Sequence, residues 1–408
     1  MLSSCQNVVC LNEGSTDLHS VRWRYSACAM LRTFTLVLAA FLSLHGTVHA
    51  VDWSIKSTVS ERMEFDDNIS VATPSPGNVV GSTTSLATAI AAKAKTYSIV
   101  LDANLALKEY GGPGETRGLD SFNQEASLVL FRQTKLTDYA VKFYFANQDV
   151  ATTEFEDTGL TNVDSRRLTY SADATIDHQF NRRNNLILSA QAKMVDFSNM
   201  TSGLTPYFDA STSLAWKHMM TRRTNATISG SLEYYEADNA TDTTSWIFKT
   251  NLDVQHRWTK RLTVNGGIGA NFVHTDKTTG SERSTGFSGK LGLEYRRKRT
   301  TINANLSHAL TPSSTGELQN RTSAAFGISR KINSRSTLAL NAIYSHQQSD
   351  GTGTTSRDTL SISPILTYIP ARYWNTSLGY TYRYSETTKT AQSHKVFMSV
   401  SRSFTTMP

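Results

Sequence analysis

Apolar and polar side chains alternate along most of the chain. In residues 299–310 (RTTINANLSHAL), one face of an extended chain carries Ile302, Ala304, Leu306 and Leu310, and asparagine and serine occupy most of the positions between them. The same period of two recurs in residues 168–180, 227–235 and 374–384. Because successive side chains of a β-strand point to opposite faces, this pattern predicts an all-β protein whose strands have one apolar and one polar face.

Short turns and longer polar loops separate these segments in alternation. Eight short, mostly basic turns and nine loops rich in Gly, Ser, Thr, Asp and Pro delimit about eighteen segments of roughly ten to fifteen residues. The predicted long loops include residues 148–164, 274–283, 311–319, 348–357 and 385–393. An even strand number with short connections at one end and long ones at the other is typical of bacterial outer-membrane barrels.

The polar face of each strand decides which solvent the apolar face meets. A soluble β-sandwich, the competing interpretation, requires central strands that are apolar on both faces or nearly so. Here Asn, Asp, Lys and Ser recur in the middle strands, and only 39% of the residues are hydrophobic. We therefore predict an antiparallel transmembrane β-barrel of about 18 strands (16–18), with lipid outside, a polar lumen and both termini in the periplasm.

The first fifty residues predict the compartment. Residues 30–50 combine Arg32, a short apolar run and the small-residue ending Val48-His49-Ala50, which is the anatomy of a secretory signal peptide. We interpret residues 1–29 as an unstructured upstream extension and residues 51–408 as the barrel. All three cysteines precede Met30, which agrees with passage through an oxidising periplasm to the cell outer membrane of a Gram-negative bacterium.

Aromatic and basic residues concentrate near strand ends. Trp246 and Trp258, at opposite ends of one predicted strand, fit the two aromatic girdles of a membrane barrel. The basic turns, such as NRRNN (181–185), have two interpretations: contact with anionic lipid headgroups, or ordinary polar turns.

The polar face supplies candidate residues for the lumen wall. With apolar side chains outward, the inner wall receives cations and anions in similar numbers. The candidates are Lys142, Lys193, Lys217, Lys249, Arg257, Lys290, Arg383, Asp173, Asp177, Asp209, Glu233, Asp253 and Glu294. Arg296, Lys395 and Asp102 share the same face. The small excess of cations predicts weak anion preference at most, and the alternative is that these charges pair across strands and only solvate the wall.

Other chemistry finds little support in the sequence. Gly267 and Gly269 lie in a strand pattern without a following helix, which argues against a dinucleotide site. We find no zinc motif, no nucleophile elbow and no pair of catalytic acids, so we predict no enzyme activity and no cofactor. Basic residues are dispersed, which argues against nucleic acid as a partner.

The chain ends in a strand that resembles the last strand of outer-membrane barrels. Val396, Met398, Val400 and Phe404 alternate towards a terminal aromatic residue, the feature that the barrel assembly machinery reads in such proteins. Arg402 occupies a position that is usually apolar, and four residues follow Phe404.

A motif near the start of the predicted barrel carries a further resemblance. Within VSERMEFDDNIS (59–70), the residues Glu61, Phe65, Asp66, Asp67, Asn68 and Ile69 are similar to the opening of a family of β-barrel porins associated with bacterial exopolysaccharide and exosortase systems. The resemblance implies an outer-membrane location and a role in polysaccharide export or secretion, with export components as partners. For the acidic residues we favour a turn-capping role over cation binding.

The predicted function is a channel for polar solutes. The alternative is a structural or adhesion barrel whose outer loops bind a surface partner and which has no transport role.

Overall fold

The computed structural model describes residues 51–112, 120–155, 165–198, 203–349 and 356–406. It contains eighteen strands and one short helix, α1 (Val150–Thr153). The strands are β1 (Asp52–Asp66), β2 (Val79–Lys93), β3 (Tyr97–Gly111), β4 (Ser121–Gln133), β5 (Thr137–Asp149), β6 (Arg166–Asn181), β7 (Asn184–Phe197), β8 (Tyr207–Met219), β9 (Thr224–Ala237), β10 (Thr243–Arg257), β11 (Leu262–Lys277), β12 (Gly280–Arg297), β13 (Thr300–Pro312), β14 (Leu318–Lys331), β15 (Ser336–Ser349), β16 (Ser356–Tyr368), β17 (Trp374–Glu386) and β18 (Thr390–Thr406). Within the described ranges, no helix has the length and apolar character needed to cross a membrane.

The strands form a closed ring. Each strand pairs antiparallel with the next, and β18 pairs with β1 from Ile55 opposite Thr406 to Asp66 opposite Lys395. Closure leaves no sheet edge with unpaired backbone groups facing lipid. The predicted all-β fold, an antiparallel barrel of 18 strands, is confirmed.

One phase of every strand carries large apolar side chains on the outer surface. Leu188 of β7 lies opposite Ile176 of β6 and Leu214 of β8, and all three are exposed. The opposite phase contains the contacts that reach across the ring, such as the bond from Arg357 of β16 to the carbonyl of Phe155, which follows β5. The first phase therefore faces lipid and the second faces the lumen, because directly opposed residues of a sheet share a face.

Two predicted long loops are wrong. Only two residues, 278–279, separate β11 from β12, and only three, 387–389, separate β17 from β18. The residues at 274–283 and 385–393 are polar, which suggested loops. Pairing within each hairpin satisfies their backbone groups, so polar strands continue almost to the turn.

The connections define two ends of the barrel. Those that follow even-numbered strands form the short-turn end, and those that follow odd-numbered strands form the long-loop end. At the long-loop end, pairing between β12 and β13 stops at Gly289 opposite His308, whereas β13 and β14 remain paired to Pro312 and Leu318. The tip of the β13–β14 hairpin thus leaves the wall beside β12.

That departure corrects the facing of Leu310. Its phase predicted an outward side chain, but Leu310 is only 4% exposed and belongs to a buried apolar cluster. Arg402, the unusual residue of β18, lies on the outer phase, with its guanidinium 5.3 Å from the ring centre of Trp374 and 4.9 Å from that of Phe404. Stacking on aromatic rings at a strand end lets a cation remain at the membrane interface.

Candidate functional site

The structure places the thirteen predicted wall residues on the inner phase and pairs many of them. Lys249 Nζ lies 2.5 Å from Glu233 Oε2, and Lys290 Nζ lies 2.9 Å from Asp253 Oδ1. Glu294 forms an ion pair with Arg296 on its own strand. The first two pairs leave little unbalanced charge around Lys249 and Lys290.

The remaining wall candidates form looser contacts. Lys142 lies opposite Asp173, and Lys193 lies opposite Asp209 and reaches the Tyr207 hydroxyl at 3.0 Å. Asp177 accepts a 2.8 Å bond from the Asn185 side chain. Lys217 and Arg257 lie opposite neutral residues. Within the described residues, the candidates extend around the wall, most of them in pairs, and two of them, Arg257 and Glu294, line one cavity at the short-turn end.

A buried ionic network closes the seam between the first and last strands. Asp66 is fully buried; its Oδ2 lies 2.7 Å from Arg383 and 3.7 Å from Lys395. Glu64 contacts Arg62 at 3.1 Å and Lys395 at 3.4 Å. We call Arg62, Glu64, Asp66, Arg383 and Lys395 the seam network. Since it joins β1, β17 and β18, it ties the two chain ends of the barrel together.

The motif at residues 59–70 is divided between the two faces of the wall. Glu61 and Phe65 lie on the outer phase, where Glu61 accepts bonds of 2.5 Å from Ser82 and 2.6 Å from Thr84. Asp66 lies on the inner phase. Glu61 is therefore separated from Asp66 by the wall, because a period of two places odd and even positions on opposite faces.

The second half of the motif builds the turn after β1. Asp66 Oδ1 accepts a 3.1 Å bond from the Asn68 amide, which is the turn cap, in addition to its ion pairs. Asp67 Oδ1 accepts a 2.7 Å hydrogen bond from the His394 amide of β18. The side chain of Ile69 is buried, and its backbone carbonyl accepts a 3.1 Å hydrogen bond from Arg383. These contacts fix the β1–β2 connection against the end of the barrel.

A segment of the β5–β6 connection crosses the lumen. The Phe155 carbonyl accepts a 2.7 Å bond from Arg357 of β16. The Phe155 ring centre lies 5.5 Å from the guanidinium carbon of Arg357 and 5.4 Å from that of Arg383. Strands β5 and β16 are seven places apart around the ring, so this contact spans much of the lumen. We call Phe155, Arg357 and Arg383 the crossing contact.

The preceding residue anchors the segment on its own side. Glu154 is fully buried and lies 2.5 Å from Arg167 of β6. The Glu154 amide donates a 2.9 Å bond to the Val150 carbonyl, which closes the single turn of α1. The segment is therefore held at both ends by charged or stacked contacts.

The tip of the β13–β14 hairpin also folds over the lumen. The Ser314 carbonyl accepts a 2.8 Å bond from the Thr205 amide, and the Ser313 carbonyl accepts a 3.2 Å bond from the Tyr235 hydroxyl of β9. Both serines are fully buried. The tip reaches strands four or five places away along the ring.

An apolar cluster fills the space under these inward segments. All of its members lie near the long-loop end: Val150, Val195, Phe197, Leu204, Tyr207, Tyr235, Ala237, Ile247, Val273, Leu310 and Leu318. Apolar side chains gathered on the lumen side exclude water there. The lumen is consequently narrowed at the long-loop end by packed side chains.

Most of this narrowed region was not predicted from the sequence. Arg62 and Glu64 lie on the same phase of β1 as Asp66, so strand alternation could have predicted that they face the lumen. Phe155 and Arg357 lie in residues interpreted as long loops, where no periodicity indicates which way a side chain points.

No family model and no curated protein matches the sequence. Among solved structures, the FrpB iron transporter of Neisseria meningitidis is similar at a TM-score of 0.50 and 7% identity, over 82% of this chain and 62% of that one. OccAB4 of Acinetobacter baumannii has a TM-score of 0.48 and 11% identity, over 88% of this chain and 99% of that one. The outer membrane protein opdK of Pseudomonas aeruginosa has a TM-score of 0.47 and 8% identity, over 86% and 99%.

The chain thus spans about 62% of the length of the FrpB chain, and identities this low establish the fold alone. The fold is a closed antiparallel β-barrel, similar to that of FrpB, and the predicted outer-membrane location agrees with it.

Proposed function

We propose that the protein is an outer-membrane channel that passes polar solutes through a lumen narrowed at its long-loop end. The observation that carries the proposal is a closed ring of eighteen strands with polar, charge-paired side chains on its inner phase. Barrels of sixteen to eighteen strands are wide enough for an aqueous path. The crossing contact would then set the narrowest part of that path and select among solutes.

The similarity to solved channels and transporters supports the general class of function. FrpB is an iron transporter, but this chain covers only 62% of the FrpB chain and shares 7% identity with it, so iron is not proposed as the solute here. A saccharide or exopolysaccharide as the solute is a finer proposal that depends on the resemblance at residues 59–70. Aromatic and arginine side chains at the crossing contact are compatible with a sugar, since rings stack on aromatic faces and guanidinium groups donate to oxygen.

Planar-bilayer recording of the purified protein, residues 51–408, tests the proposal. We expect stable open steps, weak anion preference, and partial block by an oligosaccharide that fits the narrowed region. A barrel that folds and inserts but never conducts would contradict the channel and favour the structural or adhesion alternative. Conductance without block by any oligosaccharide would retain the channel and reject the saccharide.

A further inference from the structure

Six cationic side chains surround a cavity of about 320 Å³ at the short-turn end of the lumen. They are Arg222, Arg223, Arg257, Lys260, Arg261 and Arg296. The one carboxylate in its lining is Glu294. We call this cavity the basic mouth.

Two turns of the same build hold four of these cations. In Thr221-Arg222-Arg223, the Thr221 hydroxyl accepts a 3.1 Å bond from the Arg223 amide. In Thr259-Lys260-Arg261, the Thr259 hydroxyl accepts a 3.1 Å bond from the Arg261 amide. Because a side-chain oxygen fixes each backbone turn, the basic side chains need no partner to define the turn and are exposed to solvent.

The basic mouth belongs to the lumen wall. Its neutral lining residues Asn225, Gln255 and Thr263 occupy the inner phase of β9, β10 and β11. Arg257 lies opposite Thr263 on that same phase. The charges of this cavity thus line the water path, which distinguishes them from basic turns that only face lipid headgroups.

Like charges gathered in one cavity attract an anion that lies between them. Arg296 is paired with Glu294, and the five other cations of the cavity repel one another, whereas elsewhere on the inner wall Lys249 and Lys290 each have an acidic partner. A cavity of this size holds one small solute, and guanidinium groups bind phosphate and carboxylate oxygens with paired bonds.

We propose that the basic mouth is a binding site for a multiply charged oxyanion, a solute that carries phosphate or carboxylate groups and enters from the short-turn side. This inference rests on the proposed channel and names its solute class. The site would concentrate such anions at one entrance. At low salt, they would therefore enter the lumen faster from the short-turn side than from the long-loop side.

Tripolyphosphate is a suitable probe. In a zwitterionic bilayer at about 0.1 M salt, we expect it to block single-channel current when it is added on the side that the short-turn end of the barrel faces. The blocking concentration should be about tenfold higher from the other side, or at about 1 M salt. The variant R222Q/R223Q/K260Q/R261Q should raise the blocking concentration about tenfold.

The Asn181-Arg182-Arg183 turn provides a matched control. The Asn181 side chain accepts a 2.9 Å bond from the Arg183 amide, so the turn is built alike, but its arginines are not part of the cavity lining. R182Q/R183Q should leave the block unchanged. Equal block from both sides, or a block that ignores the four substitutions in the basic mouth, would overturn the proposal.

Two further experiments distinguish a failure of the proposed channel from a failure of the proposed binding site. If the barrel does not conduct, titration of the detergent-purified protein with tripolyphosphate still tests the site: binding lost in the fourfold variant and retained in R182Q/R183Q supports it, and no binding overturns it. If anionic phosphatidylglycerol in the short-turn leaflet abolishes the block, lipid headgroups occupy the cavity, which would overturn a role in solute binding.

Discussion

At the long-loop end of the lumen, charged side chains are buried and paired, whereas at the short-turn end they are exposed and almost all of one sign. Asp66 and Glu154 are fully buried, and each is within 2.7 Å of an arginine. The basic mouth gathers six cations and one carboxylate in an open cavity. A buried charge without its partner is costly, while an exposed charge is inexpensive to keep or remove.

The two ends of the lumen therefore use charged side chains for different purposes. At the long-loop end, charges hold inward segments against the wall and narrow the path. At the short-turn end, charges contribute little to folding and remain available to solutes. The same residue types therefore have different roles according to depth and pairing, and substitutions at the two ends should have different consequences.

The largest effect should follow from breaking the seam network. Arg383→Ala leaves Asp66 buried without its closest cation, which should cost about 3–5 kcal/mol of the free energy of unfolding. Arg261→Ala at the basic mouth should cost less than about 1 kcal/mol, because that side chain is exposed. Urea unfolding in bilayers, followed by tryptophan fluorescence, measures both. Equal costs would remove the distinction between the two ends.

A second test concerns the faces of the wall on which the comparison depends. Leu188→Arg places a charge on the lipid face and should impair assembly by roughly 2–4 kcal/mol at the bilayer midplane. The adjacent Ser189→Arg points into the lumen and should assemble normally. Heat-modifiable migration on gels reports the folded fraction of each variant, and similar assembly of both would contradict the facing.

The regular part of this architecture was predictable and the inward segments were not. Period-two alternation in residues 299–308 and its equivalents predicts the strands, their number and their facing, because a strand has one lipid face and one water face. Leu310 and Phe155 follow no such rule. Their positions depend on where the hairpin tip and the β5–β6 connection settle inside the ring, which is decided by partners distant in sequence, such as Arg357.

The motif at 59–70 contains one feature that alternation predicts and one that it does not. Alternation alone assigns Glu61 to the outer phase and Asp66 to the inner phase. The partnership of Asp66 with Arg383, 317 positions away, requires closure of β18 on β1 and has no local signal.

A smaller effect is expected in the middle of the lumen, between the two ends. Lys290 is half exposed and paired with Asp253, so Lys290→Glu should assemble and shift ion selectivity towards cations by about twofold at low salt. Lys249→Glu should instead reduce assembly, because it would face Glu233 in a more buried position near the long-loop end. Reversal potentials in a salt gradient, with the folded fraction as control, distinguish the two. Identical behaviour of the two variants would mean that burial does not separate their roles.

The central claim is that the crossing contact limits passage while the basic mouth admits solutes. Single-channel conductance of Phe155→Ala, compared with the unmodified chain and with Arg261→Ala at about 1 M salt, tests it most directly. Removal of the ring that both Arg357 and Arg383 contact should raise the conductance, whereas Arg261→Ala should leave it unchanged because salt screens the exposed charge. An unchanged conductance in Phe155→Ala, or a larger change in Arg261→Ala, would contradict the claim.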